Sequence, residues 1–163
     1  MSGIDCSFDA SGCLVCPEIP AVAPAPGYVK TTAVVGWNAG ANSIQQLDGN
    51  LHTVFVVQAG DIGTVIGLKS TRMHQTVPDT LDFGLYFQST NSSDMVQVVE
   101  HGVPKTSAVA RASSDKFEIR RSGGIVSYLQ NGTLLYTSAV KSTGPLVVSA
   151  CMYASGDAVG GLS

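Results

Sequence analysis

Three cysteines lie close together near the N-terminus of the chain, at Cys6, Cys13 and Cys16. Their spacing, C-x6-C-x2-C, gathers three soft sulfur ligands, and a gap of two residues between cysteines is typical of zinc and iron–sulfur sites. We predict that these cysteines bind Zn²⁺ or an iron–sulfur cluster, and the spacing leaves a disulfide or unligated thiols open as alternatives. The fourth cysteine, Cys151, lies in an apolar, strand-like run and is expected to be a small buried side chain rather than the missing ligand.

The histidines and carboxylates do not form a catalytic pattern in the sequence. His52, His74 and His101 are far apart, and no serine or cysteine stands out as the nucleophile that one of them would activate. The acidic residues are isolated along the chain, whereas glycosidases use a pair of carboxylates. The Gly-Gly pairs are not followed by the Lys-Ser/Thr of a phosphate-binding loop. We therefore predict that the protein is not an enzyme.

Aromatic side chains are the other group that could contact a ligand. The face of an aromatic ring can pack on the C–H groups of a sugar ring. In a strand with alternating residues, however, an aromatic side chain is more often part of the core. The sequence therefore leaves the ligand-binding residues unassigned among the candidates Trp37, Tyr28, Tyr86, Tyr128, Tyr136 and Tyr153.

Composition limits the partners and the location. The chain has nine basic and twelve acidic residues scattered along 163 residues, so no cationic face is expected to bind nucleic acid. The N-terminus lacks the basic region and the apolar run of a signal peptide, and no stretch is long and apolar enough to insert into a membrane. We expect synthesis in the cytoplasm of the host cell, with release only as part of an assembled particle.

Residues 1–27 differ from the rest of the chain. They hold three of the four cysteines and have prolines at positions 17, 20, 24 and 26. Proline removes backbone donors and favours an extended path, which suits a spacer better than a strand of a core. We predict two regions: an extended anchoring arm over residues 1–27, which packs on a neighbouring subunit, and a folded domain over residues 28–163.

Strand signals alternate with turn signals throughout the second region. Phe117 and Ile119 alternate with polar residues, as do Val126 and Tyr128, which is the pattern of strands with one wet face. The Gly-Gly at 123–124 and the Asn-Gly at 131–132 predict two hairpin turns. No segment has an apolar stripe at helical spacing. This predicts an all-β fold, with two antiparallel sheets packed as a sandwich. The predicted strands cover residues 33–37, 51–58, 64–69, 82–88, 95–101, 116–121, 125–129, 133–136 and 146–153.

These segments resemble concanavalin-like jelly-roll domains. KFEIRR at 116–121, IVSY at 125–128, NG at 131–132 and LYTS at 135–138 are similar to adjacent antiparallel strands of that family. The segments GWNAGANS at 36–43, VIGL at 65–68, DFGLYF at 82–87 and VVEHG at 98–102 are similar to such domains in bacteriophage tail proteins and bacterial surface proteins. The chain lacks the metal-binding acidic cluster of plant lectins and the paired glutamates of related glucanases. The resemblance therefore implies the fold but neither metal-assisted sugar binding nor glycoside cleavage.

The resemblance and the arm together suggest a virion protein. We expect a tail tip, baseplate or fibre component of a bacteriophage, located in the virion tail and assembled as a homo-oligomer, a trimer, that joins other tail or baseplate subunits through its arm. Its lectin-like sandwich would decorate the tail or contact a glycan of the host cell surface. The alternative is a free-standing lectin-like domain of a bacterial surface protein that binds carbohydrate or protein.

Overall fold

A computed structural model of the protein describes residues 7–8, 14–15, 28–70, 77–90 and 93–161. Within these ranges the regular structure consists of fifteen β-strands and one turn of 3₁₀ helix at Pro78–Thr80. Among the described residues, no helix is long and apolar enough to cross a membrane. The first eight strands are β1 (Ser7–Phe8), β2 (Leu14–Val15), β3 (Tyr28–Val29), β4 (Ala39–Asn42), β5 (Leu51–Val57), β6 (Thr64–Lys69), β7 (Phe83–Thr90) and β8 (Ser93–Glu100). The others are β9 (Val103–Pro104), β10 (Val109–Ala110), β11 (Phe117–Ser122), β12 (Ile125–Gln130), β13 (Thr133–Lys141), β14 (Val147–Met152) and β15 (Ala158–Gly160).

Two antiparallel sheets form a jelly-roll sandwich, as the sequence predicts. The first sheet has seven strands in the order β10, β8, β7, β6, β14, β4, with β9 also beside β8. The second sheet has six strands in the order β13, β12, β11, β5, β15, β3. Strands β1 and β2 pair with each other and with neither sheet. Most of residues 1–27 lie outside the described part of the chain, so the predicted boundary after residue 27 stays a prediction.

The core lies between the inner faces of the two sheets. Side chains alternate along β11 and β12, so Phe117, Ile119, Val126 and Tyr128 are fully buried whereas Arg120 is exposed. The first sheet contributes Leu85, Phe87 and Val98, among others, to the same apolar cluster. The register predicted from the alternating pattern is therefore confirmed.

The two hairpin turns form where the sequence places them. Asn131 and Gly132 have φ angles of 51° and 79°, and Gly123 and Gly124 have φ angles of 57° and 81°. Positive φ at both central residues is the requirement of a tight turn with the twist of the flanking strands. These turns connect β11, β12 and β13 into the predicted three-stranded meander.

Two segments differ from the prediction. Residues 33–37, predicted as a strand, form bends, and the strand of this region is β4. The physical reason is the buried amine of Lys30, which donates to the carbonyl of Gly36 at 2.7 Å and folds the segment back. At the other end, residues 158–160 are not among the predicted strands, but they form β15, which lies inside the second sheet between β5 and β3.

Buried cations hold the loops at the two ends of the sandwich. Arg111 donates to the carbonyls of Val57 and Gln58, at 2.9 and 3.1 Å. Arg121 donates to the carbonyl of Gly49 at 2.6 Å and to residues 142 and 144. Four of the eight basic residues in the described ranges are buried, namely Lys30, Lys69, Arg111 and Arg121. The surface of the described chain is therefore less basic than the composition suggests.

Candidate ligand-binding cleft

A small cleft lies on the outer face of the first sheet. Val65, Tyr86 and Val99 come from the neighbouring strands β6, β7 and β8 and point away from the core, because the residues next to them point into it. The cleft has a volume of about 240 Å³. Its lining consists of these three residues together with Trp37, Pro78 and Gly102. The wall is thus apolar and aromatic, and the indole N–H of Trp37 and the hydroxyl of Tyr86 are the polar side-chain groups that the lining offers.

A buried lysine fixes the position of Trp37. The Nζ atom of Lys30 donates to the carbonyls of Gly36 and Tyr153, at 2.7 and 2.5 Å, and to Oδ1 of Asn38 at 2.5 Å. The backbone N–H of Gly36 also donates to the carbonyl of Tyr153, at 2.9 Å. These bonds hold both residues that flank Trp37, and all three donor positions of the ammonium group have an acceptor.

Three aromatic rings pack together at the cleft. The ring centroid of Trp37 lies 5.3 Å from that of Tyr153 in an edge-to-face arrangement and 6.2 Å from that of Tyr86. Gly63 makes this packing possible. A Cβ atom at position 63 would lie 2.9 Å from Cβ of Tyr153 and 3.5 Å from the indole ring of Trp37. The aromatic wall is therefore a packed, preformed structure.

Two buried carboxylates join the loops next to this wall. Asp157 accepts hydrogen bonds from the backbone N–H groups of Ile62, Gly63 and Ala154, at 2.9, 3.2 and 2.7 Å. Asp61 accepts from the hydroxyl of Thr64 at 2.8 Å and from a backbone N–H at 3.1 Å, both at Oδ2. The other oxygen of Asp61 is buried and has no hydrogen-bond partner among the described residues.

Burial changes the ionisation of two groups near the cleft. It raises the pKa of Asp61 to about 7, and the negative charge of Asp157 acts in the same direction, against the hydrogen bond from Thr64. Burial also raises the pKa of Tyr86, with Asp61, Tyr153 and Asp157 adding to the shift. The phenol of Tyr86 therefore keeps its proton at neutral pH and can donate a hydrogen bond to a ligand.

The predicted metal ligands Cys6, Cys13 and Cys16 lie outside the described residues, so the metal-site prediction is untested. Cys151 is fully buried, as expected, and burial raises the pKa of its thiol to about 11, which disfavours the reactive thiolate. In the described ranges, no group of three His, Cys, Asp or Glu side chains is placed to hold a metal ion.

The structure does not bring the histidine candidates together. His52 lies in β5 beside Arg120 of β11. His101 follows β8, and its Nε2 lies 3.6 Å from Oδ1 of Asp82 with most of the imidazole exposed. His74 lies outside the described part of the chain.

The aromatic candidates divide into two groups. Trp37, Tyr86 and Tyr153 meet at the cleft, whereas Tyr128 lies in the core and donates its hydroxyl to Glu100 at 3.0 Å. Tyr136 packs beside Tyr128 with ring centroids 6.1 Å apart. The side chain of Tyr28 lies outside the described part.

Sequence reasoning missed Lys30 and Asp157, because their hydrogen-bond partners Tyr153 and Gly63 are 123 and 94 residues away in the chain.

A second, larger groove lies on the outer face of the second sheet. It measures about 460 Å³ and runs beside the Asn131–Gly132 turn. It is lined by Val54, Lys116, Phe117, Glu118, Asn131 and Gly132. The groove carries the charged side chains of Lys116 and Glu118. Substitutions here can serve as controls for substitutions in the Trp37 cleft.

The comparisons with known proteins place the fold but not the function. No protein-family model matches the chain, and no curated protein matches it. Among solved structures, a TRIM65 PSpry domain is 12% identical with a TM-score of 0.54, over 76% of this chain and 70% of that one. The carbohydrate-binding module CBM66 from Bacillus subtilis is 9% identical, with a TM-score of 0.47 over 86% and 91% of the two chains. The PL7 alginate lyase AlyA1 from Zobellia galactanivorans is 15% identical, with a TM-score of 0.45 over 77% and 64%. At these identities the likeness to the PSpry domain supports the sandwich fold alone, since one fold carries many functions.

Proposed function

We propose that the protein is a non-enzymatic binding domain whose cleft holds one sugar ring of a surface glycan. The observation that carries this proposal is the pairing of Trp37 and Tyr86 in a preformed apolar cleft. The aromatic faces accept the C–H face of a sugar, and the Tyr86 hydroxyl and Trp37 N–H supply polar contacts at its edge. A volume of about 240 Å³ is below the roughly 300–1,000 Å³ of sites for drug-sized ligands. The cleft therefore suits a single ring of a longer chain.

The environment of the two carboxyl groups supports a binding role over a hydrolytic one. A glycosidase needs two carboxyl groups that flank the scissile bond in an accessible cleft. Asp61 and Asp157 are 1% and 3% exposed, and neither lines the cleft. Asp157 accepts three backbone hydrogen bonds, so its charge stabilises the loops rather than facing a substrate.

Replacing Trp37 with alanine is expected to weaken glycan binding at least tenfold, about 1.4 kcal/mol, because the variant removes one aromatic wall. Tyr86→Phe keeps the ring and removes the hydroxyl, so its loss should be smaller. A glycan array of bacterial surface oligosaccharides identifies the ligand, and calorimetric titration measures each variant. Glu118→Ala, which alters the groove on the other sheet, is the matched control and should bind like the wild type. Equal binding by wild type and Trp37→Ala, or no binding to any glycan, would contradict the proposal.

We also propose that the protein acts as a bacteriophage tail component, in the tail tip, baseplate or fibre. The sequence resemblance and the proline-rich arm support this role, since a stiff spacer suits a domain held away from its anchor. Detection of the protein in purified virions, and of its density in cryo-EM maps of the tail, would test it. A monodisperse monomer that binds glycan and is absent from particles would favour the free-standing surface domain instead.

The arm cysteines give a separate prediction. If Cys6, Cys13 and Cys16 bind zinc or a cluster, the purified full chain should contain about one metal site per chain, measured by elemental analysis. Changing the three cysteines to serine should abolish the metal, because thiolates are the ligands. Cys151→Ser is the control and should retain the metal. A metal-free wild type with three titratable thiols in the arm would contradict the prediction.

A further inference from the structure

Four exposed aliphatic side chains surround the start of the sandwich. Val29, Val34, Val35 and Ile62 are 58%, 64%, 61% and 55% exposed, respectively. We call this set the apolar edge patch. Single exposed aliphatic residues are ordinary on protein surfaces, but a cluster of them marks a contact site.

Hydrogen bonds attach the backbone segments that carry these side chains to one another. The backbone of Lys30, next to Val29, donates to the carbonyl of Asp157 at 3.0 Å and accepts from the N–H of Gly156 at 2.9 Å. The N–H of Ile62 donates to Oδ1 of Asp157 at 2.9 Å. Gly36, next to Val35, is bonded to Lys30 Nζ and to the carbonyl of Tyr153. All four residues of the patch are therefore attached to one frame, built on Lys30 and the loop at 153–157.

The frame also holds the patch in one conformation. Lys30 is 2% exposed, and burial of an ammonium group is costly unless it is fully hydrogen-bonded, as this one is. The chain thus uses a buried cation to fix a loop whose valines point into water. A surface that is ordered before contact loses less conformational entropy on association, so this arrangement is typical of a preformed interface.

The absence of charge indicates what covers the patch. Residues 31–47 contain no Asp, Glu, Lys or Arg, and Ile44, in the same stretch, is 94% exposed. Around the axis of a symmetric homo-oligomer, identical residues of the copies meet, and any charge there would face a like charge. In addition, Val29 belongs to β3, which in the described sheet pairs with β15 on one side alone and leaves its other edge open. An uncharged apolar patch beside an open edge suits a second copy of the same surface.

We propose that the apolar edge patch is the contact between copies of this chain. Residue 27 directly precedes β3, so the arms of the copies begin at this contact. Assembly would then depend on the sandwich, through Val34 and Val35 in particular, as well as on the arm.

The test measures the mass of the full-length protein by native mass spectrometry and sedimentation over a range of concentrations. The wild type should form a homo-oligomer, and the double variant V34D/V35D should shift the association midpoint to at least tenfold higher concentration. The matched control V103D/V109D changes two valines that are 54% and 38% exposed in the first sheet, and it should assemble like the wild type. Amide hydrogen exchange at residues 31–35 should slow as the wild type associates.

Several results would overturn the proposal. These are a wild type that stays monomeric at its highest soluble concentration, a V34D/V35D variant that assembles normally, and a control that dissociates equally. Protection of residues 31–35 in a monomer would assign the patch to the chain's own arm instead. If circular dichroism shows that V34D/V35D is unfolded, V34S/V35S takes its place with the same expected direction. Glycan binding by the same variants separates this contact from the Trp37 cleft.

Discussion

Replacing Phe117 with alanine is expected to lower the free energy of unfolding by about 3–5 kcal/mol. Phe117 is fully buried at the centre of the sandwich, where its ring centroid lies 4.8 Å from that of Phe87 and 6.2 Å from that of Phe55. These rings come from both sheets, so the truncation leaves a cavity that neither sheet can close alone. Urea unfolding followed by circular dichroism and by the fluorescence of Trp37 measures the loss.

The neighbouring position supplies the control. Glu118 is on the outer face of β11 and is partly exposed, so Glu118→Ala should cost less than about 0.5 kcal/mol. The two positions are adjacent in sequence, but Phe117 faces the core and Glu118 faces outward from the sheet. Similar losses at the two positions would mean that the inward register of β11 is wrong.

The sequence predicts this part of the fold well because its signals are local. The alternation of Phe117 and Ile119 with polar residues fixes which face of β11 is buried. The Asn131–Gly132 turn fixes the first pairs of β12 with β13, Gln130 with Thr133 and Leu129 with Leu134, and the register shifts beyond them. Each of these patterns is contained within a segment no longer than one strand. The same holds for β6, which spans the predicted residues 64–69.

The cleft could not be predicted, because its parts come from distant segments. Trp37, Tyr86 and Tyr153 are neighbours only after β6, β7 and β14 have paired. The prediction of a strand over residues 33–37 failed for a related reason, since Val34 and Val35 carry strong β-propensity but the distant bond from Lys30 to Tyr153 sets the path of the backbone. Asp61 and Asp157 were likewise isolated in sequence, and the folded loops bring their charges within range of each other.

The stability of the protein is expected to fall as the pH rises from about 4 to about 8, through the ionisation of Asp61. The folded-state pKa of about 7 lies above the ordinary value of 3.8, so between these values the folded protein retains a proton that the unfolded chain has released. The stabilisation is fully present below the lower pKa and is lost as the pH passes the higher one. The difference between these two pKa values corresponds to about 4 kcal/mol. Unfolding free energies in urea across this pH range measure the effect.

The variant Asp61→Asn isolates this contribution, because its side chain cannot ionise. The free energy of unfolding of this variant, relative to that of the wild type, should rise by about 4 kcal/mol between pH 4 and pH 8. This change does not depend on the absolute stability of the variant. Asp115→Asn is the opposite control: hydrogen bonds from Ala112, Asn131 and Gln130 lower the pKa of Asp115, so its contribution is lost only at more acidic pH. The difference in free energy of unfolding between Asp115→Asn and the wild type should stay nearly constant from pH 4 to pH 8. A constant difference for Asp61→Asn would mean that Asp61 is ionised throughout, and that its buried oxygen has a partner, such as a bound water or cation, in solution.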